Sequence, residues 1–456
     1  MTKQSIYEEV GSLESLCQET CRYLWNHPEI GGNEKKSAEY MRNLLKSEGF
    51  VIVTEEKLEH AFYAEYGSGA PVIAILGEYD ALPALSQEVS SKKEPVACGE
   101  PGHGCGHNLL GTASAVAAIA VKHFLESEGI SGTIRFYGCP EEELLSGKVK
   151  MAYYHMFDGC DVALSWHPMN ANMVYDEGYL ASASARFYFK GKTSHAAFAP
   201  DRGRSALDAV ELMNVGSNYL REHVMDFSRI HYTTDSCGFP PNIVPDRANA
   251  WYCVRAPHIA DVKEILERIH KVALGAAMMT ETEVSMKVES GCCEMFPAHR
   301  FADLAYENML SAPSPTYTEA EIRFARELQS TLDPAVLKKD EKAFQAAGTA
   351  MMTEISPRNL WKDVPMTASS DCGDVSYLMP MCAVTTACWP VGVAPHTWQA
   401  TASAGSSLGE KGAFHAAHIL AGIAYDLLTK DGLIGQLKAE FDETNDGTYV
   451  PMCSEE

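Results

Sequence analysis

The chain has 456 residues, 46% of them hydrophobic, and a formal net charge of -24 at pH 7. That length calls for two or three domains, and the composition is that of a soluble globular protein. So acidic a chain lacks the basic face that nucleic acid or an anionic membrane needs, which excludes both as partners. Its opening, Met-Thr-Lys-Gln-Ser-Ile-Tyr-Glu-Glu-Val, is acidic and polar, so no secretory leader is read there. The 14 cysteines are scattered, with only Cys292 and Cys293 adjacent. Without an export signal they read as reduced thiols, and cytoplasm follows as the expected compartment.

In chain order, residues 5–25 read as one amphipathic helix, with Ile6, Val10, Leu13, Cys17 and Leu24 near one face. Lys35 to Glu48 reads as a second helix, stopped by Gly49. Short strands follow at 51–54, 62–66 and 72–76, the last apolar enough to be buried on both faces. It runs into Gly77-Glu78-Tyr79-Asp80-Ala81-Leu82-Pro83. Residues 97–112 then form a Gly-rich loop that carries His103, Cys105 and His107 into an Ala-rich helix over 109–125. The apolar run Ala113 to Val121 is too short to span a bilayer and reads as a buried helix. A strand at 133–137 ends in Pro140-Glu141-Glu142-Glu143, and a helix at 149–156 and a strand at 162–165 lead into Trp166-His167-Pro168. Three strands each ending in ionisable residues, alternating with helices, predict an α/β domain with a mostly parallel sheet flanked by helices.

The pattern changes near Gly178. Residues 182–190 alternate, with Ala183, Ala185, Phe187 and Phe189 on one side. A loop, a helix at 206–222, strands near 231 and at 248–254, a helix at 260–276 and a strand at 283–289 complete an α+β unit of ferredoxin-like order. It reads as an insertion at 178–292 that splits the first domain into 1–177 and 293–456. Beyond it, Thr318 to Leu332 is an amphipathic helix whose Glu321 and Arg326 read as a solvated face. The sheet pattern returns at 383–388 before Pro395-His396-Thr397. A helix at 414–428 closes the fold, and the last ten or so residues are expected to fray.

The ends of parallel strands meet along one edge, and open α/β sheets place their sites there. Asp80, the His103–His107 loop, Glu141 to Glu143, His167 and His396 would therefore share one crevice. Imidazole, thiolate and carboxylate together suit zinc or a neighbouring transition metal. The set is large enough for two ions with one bridging ligand, and such a pair activates water and polarises a carbonyl or phosphoryl oxygen. Singly, each residue has a plainer reading. His167 before proline could be a core histidine, and three glutamates could be a solvated turn.

Together the motifs Gly-Glu-Tyr-Asp-Ala-Leu-Pro (77–83), Gly-His-Gly-Cys-Gly-His-Asn (102–108), Pro-Glu-Glu-Glu (140–143), Trp-His-Pro (166–168), Ser-His-Ala-Ala (194–197) and Pro-His-Thr-Trp-Gln (395–399) carry a resemblance. The chain resembles the M20 metallopeptidase and amidohydrolase family over nearly its whole length, within the aminoacylase and hippurate hydrolase branch. The resemblance implies two divalent ions per subunit, zinc or manganese with cobalt as a further candidate. Cys105 would bridge them, His107 and Glu143 would complete one, and His167 and His396 the other. Glu142 would be the general base and then the general acid, and Asp80 would orient a ligand. His195, on the inserted lid and dimerisation domain, would reach a partner subunit's site and help hold the oxyanion. Asn242 and Arg255 would grip a substrate carboxylate, for which Arg255 offers a bidentate match.

Four departures from the branch stand out. Asn108 replaces an Asp and would tune the metals differently. Leu144 and Leu145 replace glycines, which makes the loop bulkier. Glu78 stands where other branches have a ligating His. The three glutamates leave the register of base and ligand open; Glu142 and Glu143 are chosen because Pro140 and Gly147-Lys148 then fall where the branch has its Pro and Gly-Lys. His103 is left outside the ligand set. The expected protein is a metal-dependent hydrolase of the amide bond in N-acyl or N-aroyl amino acids. It would act as a homodimer or with a related second subunit. The rivals are a dipeptidase of the same family, acting on dipeptides, and a non-catalytic metal-dependent binding paralogue, which would not need Glu142.

Overall fold

The computed structural model describes residues 2–175, 178–236, 238–358, 360, 366–445, 447 and 449–453. The expected domain boundary at 177 thus falls outside the described residues. The chain divides into two compact units: Met1–Glu177 with Phe296–Val364 and Val375–Tyr449, and Gly178–Met295 with Pro365–Asp374 and Val450–Glu456.

The first unit opens with α1 (Lys3–Ser12), α2 (Glu14–Asn26), α3 (Lys35–Ser47), β1 (Val51–Glu55), β2 (Leu58–Ser68), β3 (Val72–Glu78), α4 (His107–Glu128), β4 (Gly132–Cys139), α5 (Gly147–Tyr153), β5 (Val162–Met169) and β6 (Met173–Tyr175). The second unit holds β7 (Ala181–Lys190), α6 (Ala206–Leu220), β8 (Arg229–Ser236), β9 (Arg247–Ala256), α7 (Ile259–Thr280) and β10 (Glu283–Cys292). The remaining elements are α8 (His299–Ser311), α9 (Glu319–Ser330), α10 (Pro334–Ala343), the short α11 (Cys372–Ser376), β11 (Met381–Ala387), α12 (Trp398–Ala404), α13 (Ser407–Thr429) and α14 (Leu433–Thr444).

Among the described residues of the first unit, seven strands form a sheet in the order β1-β2-β4-β3-β5-β11-β6. Its centre is parallel: β4 with β3, β3 with β5, and β5 with β11. The antiparallel pairs β1–β2, β2–β4 and β11–β6 flank that centre. β11 is buried at every residue and β3 at all but its first, as strands covered on both faces must be. Helix α4 is long and apolar enough to cross a membrane by length and composition, but 89% of that stretch is buried inside the protein. It packs on β3 and against α13, so it is a core helix with an apolar surface all round.

Some elements differ from the sequence expectation for local reasons. The single helix expected at 5–25 breaks at Leu13 (φ -98°, ψ 9°), after Gly11 and Ser12, which are weak helix formers. β6 is too short to leave a period in the sequence, and α12 starts from a Thr397 cap that accepts the Ala400 N–H at 3.2 Å. Glu321 is not on a solvated face. It accepts from Lys411 Nζ at 2.7 Å and Ser407 Oγ at 2.6 Å, tying α9 to α13. Burial opposes its charge, but Lys411, Ser407 and Thr318 outweigh that and hold its pKa at about 2.

Among the described residues of the second unit, four strands form an antiparallel sheet in the order β10-β7-β9-β8. Ala183, Ala185, Phe187 and Phe189 share a core with residues of α6 and α7. On the other face Tyr188 and Trp251 are each 41% exposed. The segment 366–374, remote in sequence, joins this unit through the Leu180 N–H to Ala368 C=O bond of 3.0 Å. Near the C-terminus, Met452 packs on this unit's core.

Candidate metal centre

Backbone shape sets the centre before any side chain does. Gly106, with φ +80°, turns the loop into α4; a Cβ there would lie 3.0 Å from the Trp389 ring and 3.1 Å from Pro168. Only glycine fits both the left-handed backbone and that contact. The turn presents His107 as the first residue of α4, opposite the end of β3. There Asp80 Oδ1 lies 2.8 Å from His107 Nδ1, and Asp80 Oδ2 accepts the Glu143 N–H at 2.8 Å. One carboxylate thus links three chain segments. Its bond to Nδ1 makes that nitrogen the protonated one and leaves Nε2 as the coordinating lone pair.

His167 repeats the device. Its Nδ1 faces the Pro168 C=O at 2.8 Å, and its Nε2 lies 3.4 Å from Cys105 Sγ. His396 has φ +62°, a left-handed strain for a residue with a Cβ, and its N–H is held by the Gly104 C=O at 2.8 Å. Its Nε2 lies 3.5 Å from Glu143 Oε2.

The donor atoms fall into two clusters, Cys105 with His107 and His167, and Cys105 with Glu143 and His396, each with all its donors within 4.8 Å of one another. Ligands on a common ion at about 2.0–2.3 Å fall within such a span. All five expected ligands are brought together and Cys105 is common to both clusters. One of these clusters joins His107 with His167 and the other Glu143 with His396, and His107 Nε2 also lies 4.0 Å from Glu143 Oε1. Among the described residues, buried His107 Nε2 and Glu143 Oε1 have no hydrogen-bond partner, a costly arrangement unless a cation takes them. The residues therefore fit a pair of divalent ions.

Without ions the charges are poised against one another. Burial disfavours a charged His107, but Cys105 and Asp80 outweigh it and hold the pKa well above 6.5. Burial and Glu143 push the Cys105 thiol well up. Burial raises Glu143 to about 7, and burial with the nearby His107 drops His167 to about 4.

The geometry separates the three glutamates. Glu141 turns away, its Oε2 bound by Ser146 Oγ at 2.6 Å and Lys150 Nζ at 2.5 Å. Glu142 and Glu143 both face the centre, with oxygens 3.9 Å and 4.0 Å from His107 Nε2. Glu141 and Leu145, on either side of the turn, have φ of +58° and +53°. Leu145 therefore carries a backbone that the branch's glycine would take without strain. His103 Nε2 faces the Leu24 C=O at 3.1 Å, and burial drops its pKa to about 3, so it packs as a neutral histidine.

Asn108 also has a structural role. Its Nδ2 donates to the carbonyls of Cys21 at 3.3 Å and Ala404 at 3.1 Å. An amide can donate to two carbonyls and a carboxylate cannot, so Asn108 ties α4 to its neighbours, and its contacts lie away from the metal ligands. Two groups escaped the sequence reading. Fully buried Lys148 binds Glu78 Oε1 at 2.6 Å, and Glu78 Oε2 lies 3.4 Å from His107 Nε2. Burial works against a charged Glu78, but Lys148, His107 and His167 prevail and hold it below its ordinary pKa. Buried Glu34 accepts the Glu141 N–H at 2.7 Å.

In the second unit, His195 and Asn242 lie on adjoining segments joined by the His195–Ile243 bridge and the Ala196 N–H to Asn242 C=O bond of 3.0 Å. Both are exposed. His195 Nδ1 accepts the N–H groups of Ala197 at 3.2 Å and Phe198 at 3.1 Å. A neutral ring so held carries its proton on Nε2, aimed outward as a donor. Half-buried Arg255 donates from Nη1 to Ser369 Oγ at 3.0 Å.

Comparison with known proteins adds four findings. A peptidase dimerisation domain matches residues 181–277. Over 439 residues the chain is 39% identical to a subunit of the p-aminobenzoyl-glutamate hydrolase of Escherichia coli (strain K12), covering 93% of this chain and 91% of that protein. It is 26% identical to the Xaa-Arg dipeptidase of Mus musculus, covering 92% and 87%. In fold it is similar to the Bacillus subtilis YXEP protein, a dinuclear metal binding peptidase, with TM-score 0.59, 19% identity and coverage of 92% and 99%.

Proposed function

The chain belongs to the M20 family of metallopeptidases and amidohydrolases, and we propose that it hydrolyses the amide bond of an N-acyl or N-aroyl amino acid, p-aminobenzoyl-glutamate being the first substrate to try. The observation that carries this reading is the convergence of Cys105, His107, Glu143, His167 and His396 with Glu142 beside them but in neither cluster that contains Cys105. When bound, two divalent ions would lower the pKa of a water and polarise the amide carbonyl. Sulfur, imidazole and carboxylate donors accept zinc, manganese and cobalt alike.

The protein's own residues would then do the following. Cys105 would serve both ions, with His107 and His167 on one side and Glu143 and His396 on the other. Glu142 would take the proton of the attacking water on its carboxylate and return it to the amide nitrogen as the amine departs. Asp80 would hold His107 and the Glu143 backbone in register. His195, its Nε2–H set by the two amides on Nδ1, would donate to the oxyanion from a second subunit. Asn242 and Arg255 would bind the free carboxylate of the leaving amino acid. The match at 181–277 and the relative's name as one of a set of subunits support a dimer, either of this chain or with a related one. The cytoplasm is the proposed compartment.

A dipeptidase remains the second reading, favoured by the similarity to the mouse enzyme. The test is elemental analysis of chelator-free protein, with turnover measured on a panel of N-acyl amino acids, N-aroyl amino acids and dipeptides. Two ions per chain with turnover, and a loss of at least about 100-fold in Glu142→Ala at unchanged metal content, are expected. Two ions without turnover on any substrate, alone or with a related subunit, would leave a binding protein. Failure to take up metal would sink the scheme.

A further inference from the structure

The turn that carries Glu142 is held from two sides. Asp80 Oδ2 takes the Glu143 N–H at 2.8 Å, and Glu34 Oε1 takes the Glu141 N–H at 2.7 Å. Between these two anchored amides sits Glu142. The Glu34 anchor comes from a segment with no ligand in it, at the start of α3, and Glu34 belongs to none of the ligand clusters among the described residues.

The segment is built as a brace. The Glu29 C=O accepts the Ala81 N–H at 2.7 Å, and Ile30 pairs with Ala81 in a parallel bridge, so the stretch is fastened to the Asp80 loop. Gly31 lies against the glutamate turn; a Cβ there would stand 3.0 Å from Leu144 Cγ and 3.4 Å from Glu141 Cα. The Glu29 carboxylate accepts the N–H groups of Lys36 at 3.1 Å and Ser37 at 2.9 Å, and Ala38, Met41 and Leu45 root α3 in the core. Glu34 is 0% exposed, and a carboxyl at such a position is retained at a cost. What it holds is a backbone that needs holding. Glu141 sits at φ +58°, which a side chain with a Cβ disfavours.

We propose that Glu34 is a positioning residue for the hydrolytic reaction: by holding the Glu141 N–H it fixes the left-handed turn from which Glu142 points at the substrate. The inference rests on the proposed amide hydrolysis. Burial and the charge of Asp80 push the Glu34 carboxyl up to about 7, but the role survives protonation because the carbonyl oxygen of the acid still accepts. A glutamine should therefore replace it, and an apolar residue should not.

The experiment uses the full-length, metal-loaded protein with Glu34→Gln, Glu34→Leu and Glu34→Ala. Steady-state kinetics on the best substrate, elemental analysis, and amide hydrogen exchange of the peptide spanning Glu141 are measured on each. Glu34→Leu and Glu34→Ala should lower kcat by about 10–100-fold with KM and metal content unchanged, and should speed exchange of that peptide about tenfold or more. Glu34→Gln should stay within about threefold of the parent in both, as isosteric acceptors do. A wild-type kcat in either apolar variant, or a Glu34→Gln loss as deep as theirs, overturns the proposal. If neither apolar variant folds, Glu34→Gln decides alone: a tenfold loss of kcat or faster exchange overturns the role, and parent values uphold it. If the parent protein hydrolyses no amide, the functional reading fails, and the exchange arm still decides whether Glu34 holds the turn.

Discussion

The metal cradle and the loop segments of His195 and Asn242, with Arg255 on β9 of the same unit, solve different problems. In the cradle each candidate ligand is aimed by a second group: Asp80 behind His107, the Pro168 carbonyl behind His167, the Gly104 carbonyl on the His396 backbone. Three of the residues involved have left-handed backbones, Glu141, Leu145 and His396, and such strain persists only where the surroundings impose it. In the second unit the candidate groups are exposed or half-buried, and their few bonds leave donors facing outward. The first arrangement sets geometry before a cation arrives. The second presents hydrogen-bond donors to something brought to it. Damage to the cradle should therefore appear as lost metal, and damage to the loop as lost rate or weaker substrate binding at full metal content.

Cys105→Ala breaks the comparison hardest, because Cys105 belongs to both clusters. Elemental analysis should find both sites weakened and turnover near background. Retention of two tight ions would show that Cys105 bridges nothing. Uptake should also depend on pH in a defined direction. In the free protein, Cys105 holds its proton well above the usual thiol range and His107 holds one well above 6.5. Both protons must leave when metal binds, so affinity falls as pH is lowered and binding in weak buffer releases acid. A pH-independent affinity between pH 6 and 8 would contradict this.

His195→Phe is the matching test of the other region. Removing one donor to a developing oxyanion costs about 100-fold in kcat. The metal content should not change. A variant that loses metal would place His195 in the wrong category. Asp80→Ala should have a milder effect of a different kind, weakening metal binding by about 10–100-fold through a misaligned His107. Isothermal titration separates the two, since only Asp80→Ala should change the affinity for ions.

The sequence made the ligands legible because most follow a strand that is short, apolar and bounded by turn residues, as β3 and β4 are, although His167 lies within β5 rather than after it. Parallel neighbours then bring those ends to one edge, and the five donors converge as that rule requires. Spacing along the chain does not say which donors lie on the same side of Cys105. The bonds of Asn108 were not legible for a similar reason. Its neighbourhood in sequence is the metal loop, but its side chain reaches carbonyls of α2 and α12. Glu34 left no periodic signal at all, and Lys148 served only to set the register of the glutamates. A glutamate just after Gly31-Gly32-Asn33 reads as an ordinary helix start, and only the partner 107 residues away reveals it. The solvated face assigned to α9 failed because α13, which carries Lys411 and Ser407, is remote in sequence.

The smallest effect concerns stability and sharpens the contrast from within the cradle. The Glu34 carboxyl is pushed up from 4.5 to about 7 by burial and by Asp80. Between those values the folded chain holds a proton that the unfolded chain releases. The native state is therefore favoured below about pH 4.5, and this contribution is lost as pH rises through about 7. At about 1.4 kcal/mol per pH unit the full loss comes to about 3.5 kcal/mol, most of it between pH 5 and pH 8. Glu34→Gln has no such titration. Denaturant unfolding of the metal-free protein should show the variant gaining on the parent by about 3 kcal/mol between pH 5 and pH 8, whatever its stability at either end. Glu143, also raised to about 7, titrates in both proteins and cancels from the difference. A gap that stays constant across that range would mean that Glu34 is ionised throughout, and that the brace holds its carboxylate as firmly as its backbone.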